Sequence, residues 1–138
     1  MAGAPANLLA QVPLFSGLKK KELQRIARTM RDRTVETNEA LAVEGKEGVG
    51  FFLIESGSAL VTVGGEERRT LGPGEYFGEV ALIDEGSRSA TIKARTDVKC
   101  YGLTPWQFRP LVEENATIAW PLLVSMAKRL REVESSQS

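Results

Sequence analysis

The sequence predicts a mainly β fold, a sandwich or barrel bracketed by short helices, and three observations carry that prediction. Between about residues 33 and 104, short apolar or alternating runs are punctuated by turn residues about every eight to twelve positions, the spacing of an all-β domain. Segments on either side instead repeat their apolar residues at helical spacing. The chain has 138 residues, 42% apolar and 26% charged, which suits one globular domain, 1–138, with a real hydrophobic core.

Taken in order, the first residues are small, and Leu8, Leu9 and Val12 lead through Pro13 to LFSGL, a short helical piece and a turn. From Lys19 to Arg31 the apolar residues Leu23, Ile26, Ala27 and Met30 fall at i, i+3, i+4 and i+7, a helix with one buried face. Lys19, Lys20, Lys21, Arg25 and Arg28 lie mostly off that stripe. They read as a solvated face or, more sharply, as a patch that docks a partner.

Residues 51–54 (FFLI) form a buried run ending at Ser56-Gly57, and residues 59–63 follow. Gly64-Gly65 is a two-residue hairpin signal, closed by residues 69–71. Gly72-Pro73-Gly74 is a tight turn. Ala90, Ile92 and Ala94 alternate with Thr91, Lys93 and Arg95, so one face of that strand is apolar. Residues 98–103 are predicted to be its antiparallel neighbour, turned at Thr96-Asp97. Thr104-Pro105 caps and opens a helix through Trp106, Phe108, Leu111 and Val112. Pro121 is predicted to start or kink a last helix that carries Leu122, Met126, Leu130 and Val133, with Lys128, Arg129 and Arg131 at its C-terminal dipole end.

Composition removes several function classes. Lysine plus arginine equals aspartate plus glutamate, 18 each, which argues against a general polyanion-binding surface. There is no histidine, so the commonest general base and the commonest metal ligand are missing, and a cupin-like metalloenzyme is not expected. The single Cys100 permits neither an internal disulfide nor a cysteine-cluster zinc site and reads as a small apolar side chain on a strand. No metal site, catalytic residue or cofactor is expected. No apolar run approaches the roughly 20 residues of a membrane span, and MAGAPANLLAQV lacks the features of a signal peptide. The expected compartment is the cytoplasm.

The stretch FGEVALIDEGSRSATI, residues 77–92, carries the chemistry. Gly78 permits close approach of a ligand or backbone. Residues 80–83 can form one helical turn, whose opening N–H groups make an anion site. Glu79 at its start can accept hydrogen bonds from two neighbouring hydroxyls. Arg88 returns beside it with a planar fork of donors suited to phosphate, and Ser89 adds a hydroxyl. From these residues alone the leading reading is a Glu79–Arg88 ion pair clamping the loop. A sugar-phosphate or nucleotide site is the other.

YFGEVALIDEGSRSATI also resembles the phosphate-binding cassette of the cyclic nucleotide-binding domain family, with F-G-E, a short apolar run, a loop, then arginine, a small residue and alanine. VPLFSGLKKKELQRIA, FFLIESGSALV and MAKRLRE are similar to the family's N-terminal helix and turn, strand-glycine-strand element and C-terminal helix. The resemblance implies an eight-stranded antiparallel jelly-roll β-barrel (33–104, cassette 77–91) flanked by an N-terminal helical segment (about 5–31) and C-terminal hinge and lid helices (105–135). Glycines 45, 57, 74 and 78 would serve its turns. It implies that Arg88 binds the cyclic phosphate with help from Ser89, and that Glu79 accepts the ribose 2′-hydroxyl. Backbone groups of Gly78, Val80 and Ala81 would complete the cradle, and Ala90, the family's alanine after the small residue, is counted with the ligand-binding residues. The lid position falls at Val133, which can stack on a base but not hydrogen-bond its edge. Cyclic AMP is the first ligand on family frequency. Cyclic GMP is the alternative, with Ser89, Glu132 or Glu134 as guanine contacts, and a ligand-free interaction domain is the third reading. No helix-turn-helix follows within the sequence, so DNA binding is not expected. The chain reads either as a free-standing sensor that acts through a protein effector or as a regulatory piece of something larger, a monomer or weak homodimer, with the signal carried by movement of the segment from about residue 115 onward.

Overall fold

Phe51, Phe52, Leu53 and Ile54 are all buried, at 2% exposure or less. A strand points successive side chains to opposite faces, so such a run requires cover on both sides. The computed structural model, which describes residues 3–43, 50–84 and 90–137, shows both covers. Phe52 and Ile54 belong to a core with Val61, Ile92 and Cys100 between two sheets. Phe51 and Leu53 belong to a second core with Phe15, Ile26, Phe108 and Ile118, under the helices.

Among the described residues the strands are β1 (Arg31–Val35), β2 (Ala40–Ala42), β3 (Phe51–Ser56), β4 (Ala59–Val63), β5 (Glu66–Leu71), β6 (Tyr76–Phe77), β7 (Thr91–Ala94) and β8 (Val98–Leu103). They form two four-stranded antiparallel sheets, β1-β8-β3-β6 and β2-β7-β4-β5. This alternation of strands between layers is the jelly roll that the family resemblance implies. It is a two-sheet sandwich rather than a closed barrel, because β1 and β6 remain edges of one sheet and β2 and β5 edges of the other. β4 and β5 pair as the expected hairpin through Gly64 and Gly65, at φ 59° and 81°.

One expected pairing is corrected. β8 is not the neighbour of β7; it pairs with β1 and β3, whereas β7 pairs with β2 and β4. The link between them crosses from one sheet to the other because its polar groups are held by distant partners. The N–H groups of Arg95 and Thr96 donate to the Ser58 carbonyl, and the Thr96 hydroxyl accepts from Ser58 N–H. Asp97 accepts from both the N–H and the hydroxyl of Thr37, each at 2.9 Å.

The helices are α1 (Ala6–Leu9), α2 (Lys20–Thr29), α3 (Ala81–Asp84), α4 (Pro105–Glu114) and α5 (Ala116–Gln137), with a 3-10 turn at Pro13–Phe15. α2 buries Leu23, Ile26 and Ala27 as its spacing predicts, and Met30 follows them into the core. α4 opens on a capping box: Thr104 accepts from Gln107 N–H, and the Gln107 side chain accepts from Thr104 N–H.

Pro121 lies inside α5 rather than at its start, one of the two placements expected, and α5 departs from expectation at its C-terminal end. It begins five residues before Pro121, with the proline inside it, because Ile118 and Ala119 donate to the Asn115 carbonyl and Ile118 is fully buried. It also continues to Gln137, so Lys128, Arg129 and Arg131 lie in its middle rather than at a C-terminal dipole end. Of the predicted apolar stripe, Leu122 packs at 4% exposure, while Met126, Leu130 and Val133 face solvent.

Candidate functional site

β6 delivers the chain to Gly78, which turns it at φ +89°, a conformation cheap only without a Cβ. From there Ala81 N–H donates to the Gly78 carbonyl, Leu82 to Glu79, and Ile83 and Asp84 to Val80. The helical turn expected over residues 80–83 therefore exists, one residue later, as α3. Leu82, 2% exposed, anchors it in the helix-side core. The N–H groups of Glu79 and Val80 have no acceptor among the described residues. They remain available at the mouth of the turn, as unsatisfied amides opening a helical turn do.

Glu79 projects from this turn with a side chain only 14% exposed. So confined a carboxylate requires a partner. Its partner is Arg129 of α5, whose Nη2 donates to Glu79 Oε2 at 3.0 Å. The bond is charge-assisted and joins residues 50 positions apart, fastening the C-terminal helix to the turn after β6. Arg88 and Ser89, like Gly45, lie outside the described residues.

The remaining predicted residues fall in three places. Gly78, Glu79, Val80 and Ala81 are gathered on the one turn, with Val80 48% exposed. Ala90 sits in the core between the sheets. Val133 lies on α5 one helical turn beyond Arg129 and is 52% exposed. Glu132 and Glu134 are exposed on the same helix. Cys100 is fully buried, and burial pushes its thiol up from its ordinary value, in keeping with a packing role.

Sequence reasoning missed Arg129 because it was assigned to a helix end. A signal was present. Ile118, Leu122, Ser125 and Arg129 fall at i, i+4, i+7 and i+11, so the arginine extends the stripe that packs on the domain. A cation on a packing stripe implies an acidic partner.

Comparison with known proteins gives the family. Residues 32–115, more than half of the chain, match the profile described as "Cyclic nucleotide-binding domain". The chain belongs to the cyclic nucleotide-binding domain family. It is 42% identical over 95 residues to a cAMP-dependent protein kinase regulatory subunit of Yarrowia lipolytica, covering 67% of this chain and 25% of that protein. It is 33% identical over 127 residues to the cyclic AMP receptor protein of Thermus thermophilus, covering 88% of this chain and 59% of that one. Among solved structures it is similar to the N-terminal domain of a transcriptional regulator from Streptomyces coelicolor A3(2), with a TM-score of 0.87, 27% identity and 95% of each chain covered. The chain thus spans from a quarter to 59% of the two named relatives' lengths. No helix among the described residues is long and apolar enough to cross a membrane.

Proposed function

We propose that this domain is a cyclic-nucleotide sensor without catalytic activity, binding cyclic AMP first and cyclic GMP as the alternative, and signalling through α5. The observation that carries this reading is the Glu79–Arg129 contact. The acid assigned to the ribose 2′-hydroxyl already holds the C-terminal helix, so a ligand that engages Glu79 acts directly on α5. Arg88 neutralises the single charge of the cyclic phosphate, with Ser89 beside it, and the amides of Glu79 and Val80, which have no acceptor among the described residues, serve the same group. Gly78 and Ala81 complete the backbone cradle, Ala90 closes it from the inter-sheet core, and Val133 covers the base.

The whole chain, 1–138, acts as one unit on a protein effector, in the cytoplasm, without binding DNA itself. It is a monomer or weak homodimer. The exposed residues Leu123, Met126, Leu130 and Val133 recur at the three- and four-residue spacing of a helix–helix seam, which supports self-association through α5.

Parallel calorimetric titrations with cyclic AMP and cyclic GMP test the ligand. Hydrogen exchange tests the output: ligand should change protection in residues 116–137 more than in β3 or β8. Absence of heat with either nucleotide would leave the fold as an interaction domain. Binding with unchanged protection in α5 would remove the helix from the mechanism.

A further inference from the structure

The lysine run that opens α2 and an exposed indole on α5 line one groove, to which the nucleotide reading assigns no ligand contact. Trp120 is 69% exposed, although a tryptophan is the side chain with most to gain from burial. A groove of about 460 Å³ beside it is lined by Lys19, Lys21 and Thr117. A second groove, of about 590 Å³, also reaches Trp120 and is lined by Ser16, Val124, Lys128, Glu132 and Arg129, the arginine that holds Glu79. Gly17 and Pro121 border both.

The charge here is one-sided. Lys19, Lys21 and Lys128 are exposed and have no ion-pair partner among the described residues. Of the acids, Glu132 is exposed, whereas Glu22 is 7% exposed and accepts from the Thr117 hydroxyl. Arg25, part of the same cationic run in the sequence, is engaged with the Asn115 side chain and takes no part.

We propose that Trp120 is the centre of a docking site for an acidic segment of a partner protein. Two apolar side chains of that segment drop into the grooves beside the indole, and its carboxylates meet Lys19, Lys21 and Lys128. Tryptophan is among the residues most enriched at interface hot spots, and the lysines that line the grooves beside it supply the charge complementarity. The lysine stems extend its apolar surface while their ammonium groups select acidic partners. The two concave grooves and the balanced overall charge favour a protein segment over a flat lipid surface or a nucleic acid.

The test uses the full chain and three probes. They are a short synthetic helix of glutamates with leucines at i and i+4, the same peptide with lysine for glutamate, and phosphatidylserine vesicles. Anisotropy reads the peptides, sedimentation reads the vesicles, and a Trp106→Phe background isolates Trp120 emission. The acidic peptide should bind and shift Trp120 emission to the blue. Its affinity should fall about tenfold or more in Trp120→Ala and in the Lys19→Glu/Lys21→Glu double variant, as loss of a hot spot requires. The basic peptide should not bind. Thermal melts and nucleotide titration establish that each variant is folded, and Trp120→Phe should keep most of the affinity. No binding of the acidic peptide, binding unchanged in either variant, or Trp120-dependent binding to vesicles alone would each overturn the proposal.

Discussion

A carboxylate that is almost enclosed must be neutralised, and for Glu79 the neutralising group is Arg129. Arg129→Ala should lower stability by about 1 kcal/mol, a figure kept small because the guanidinium is partly solvated. A double-mutant cycle with Glu79→Gln in denaturant unfolding should return a coupling of about 0.5–1 kcal/mol. Strict additivity would mean that the pair carries no energy. Arg88→Ala should weaken cyclic AMP binding by about 1.5–3 kcal/mol, the range for a hydrogen bond to a charged group, and calorimetry reads it directly. Two further carboxyls set the response to acid. Lys99, at 3.2 Å, and then the Tyr101 hydroxyl hold Glu55 below its ordinary value, and the Thr37 N–H and hydroxyl do the same for Asp97. Both values are lowered in the folded state, so their stabilising contribution is complete above the ordinary carboxylate range and is lost as pH falls from that range through the lowered folded values. The urea midpoint should therefore begin to drop as pH falls into the ordinary carboxylate range and go on dropping below it, less steeply in Asp97→Asn.

At the level of elements, local chemistry and long-range contacts divide the explanation. The capping box on α4 is local, and Thr104→Ala should cost about 1 kcal/mol, seen as a lower Tm, while Thr104→Ser should restore most of it. The α2 stripe, the Gly64-Gly65 hairpin and the doubly covered run of β3 are likewise legible in the sequence, because period and turn residues act over a few positions. The crossover at residues 95–97 was not legible. Thr96-Asp97 has the composition of a hairpin turn, and only Ser58 and Thr37, 38 and 60 residues away, divert it into a passage between sheets. Which of the two placements of Pro121 holds was not legible for a related reason. Proline marks a helix start by local rule, but burial of Ile118 extends the helix upstream of it.

For the molecule as a whole, α5 combines three roles on different faces. Ile118 and Leu122 pack on the domain, Arg129 reaches the turn after β6, and Leu123, Met126, Leu130 and Val133 remain outside. Light scattering over a concentration series should detect self-association, and Leu130→Lys should shift it towards monomer without lowering the Tm. If the stripe only awaited packing on its own domain, the substitution would destabilise the fold and leave mass unchanged.

The amino-acid order by itself determined the β-core between helices, the glycine-opened turn with its acid, and the family to which both belong, since each is written in spacings of a few residues. Only the tertiary structure decided that Glu79 is held by Arg129, that β7 and β8 belong to opposite sheets, and that most of the apolar stripe on α5 is left in water. Those outcomes depend on which distant groups the packed layers bring within hydrogen-bonding or van der Waals reach, and no local pattern encodes that geometry.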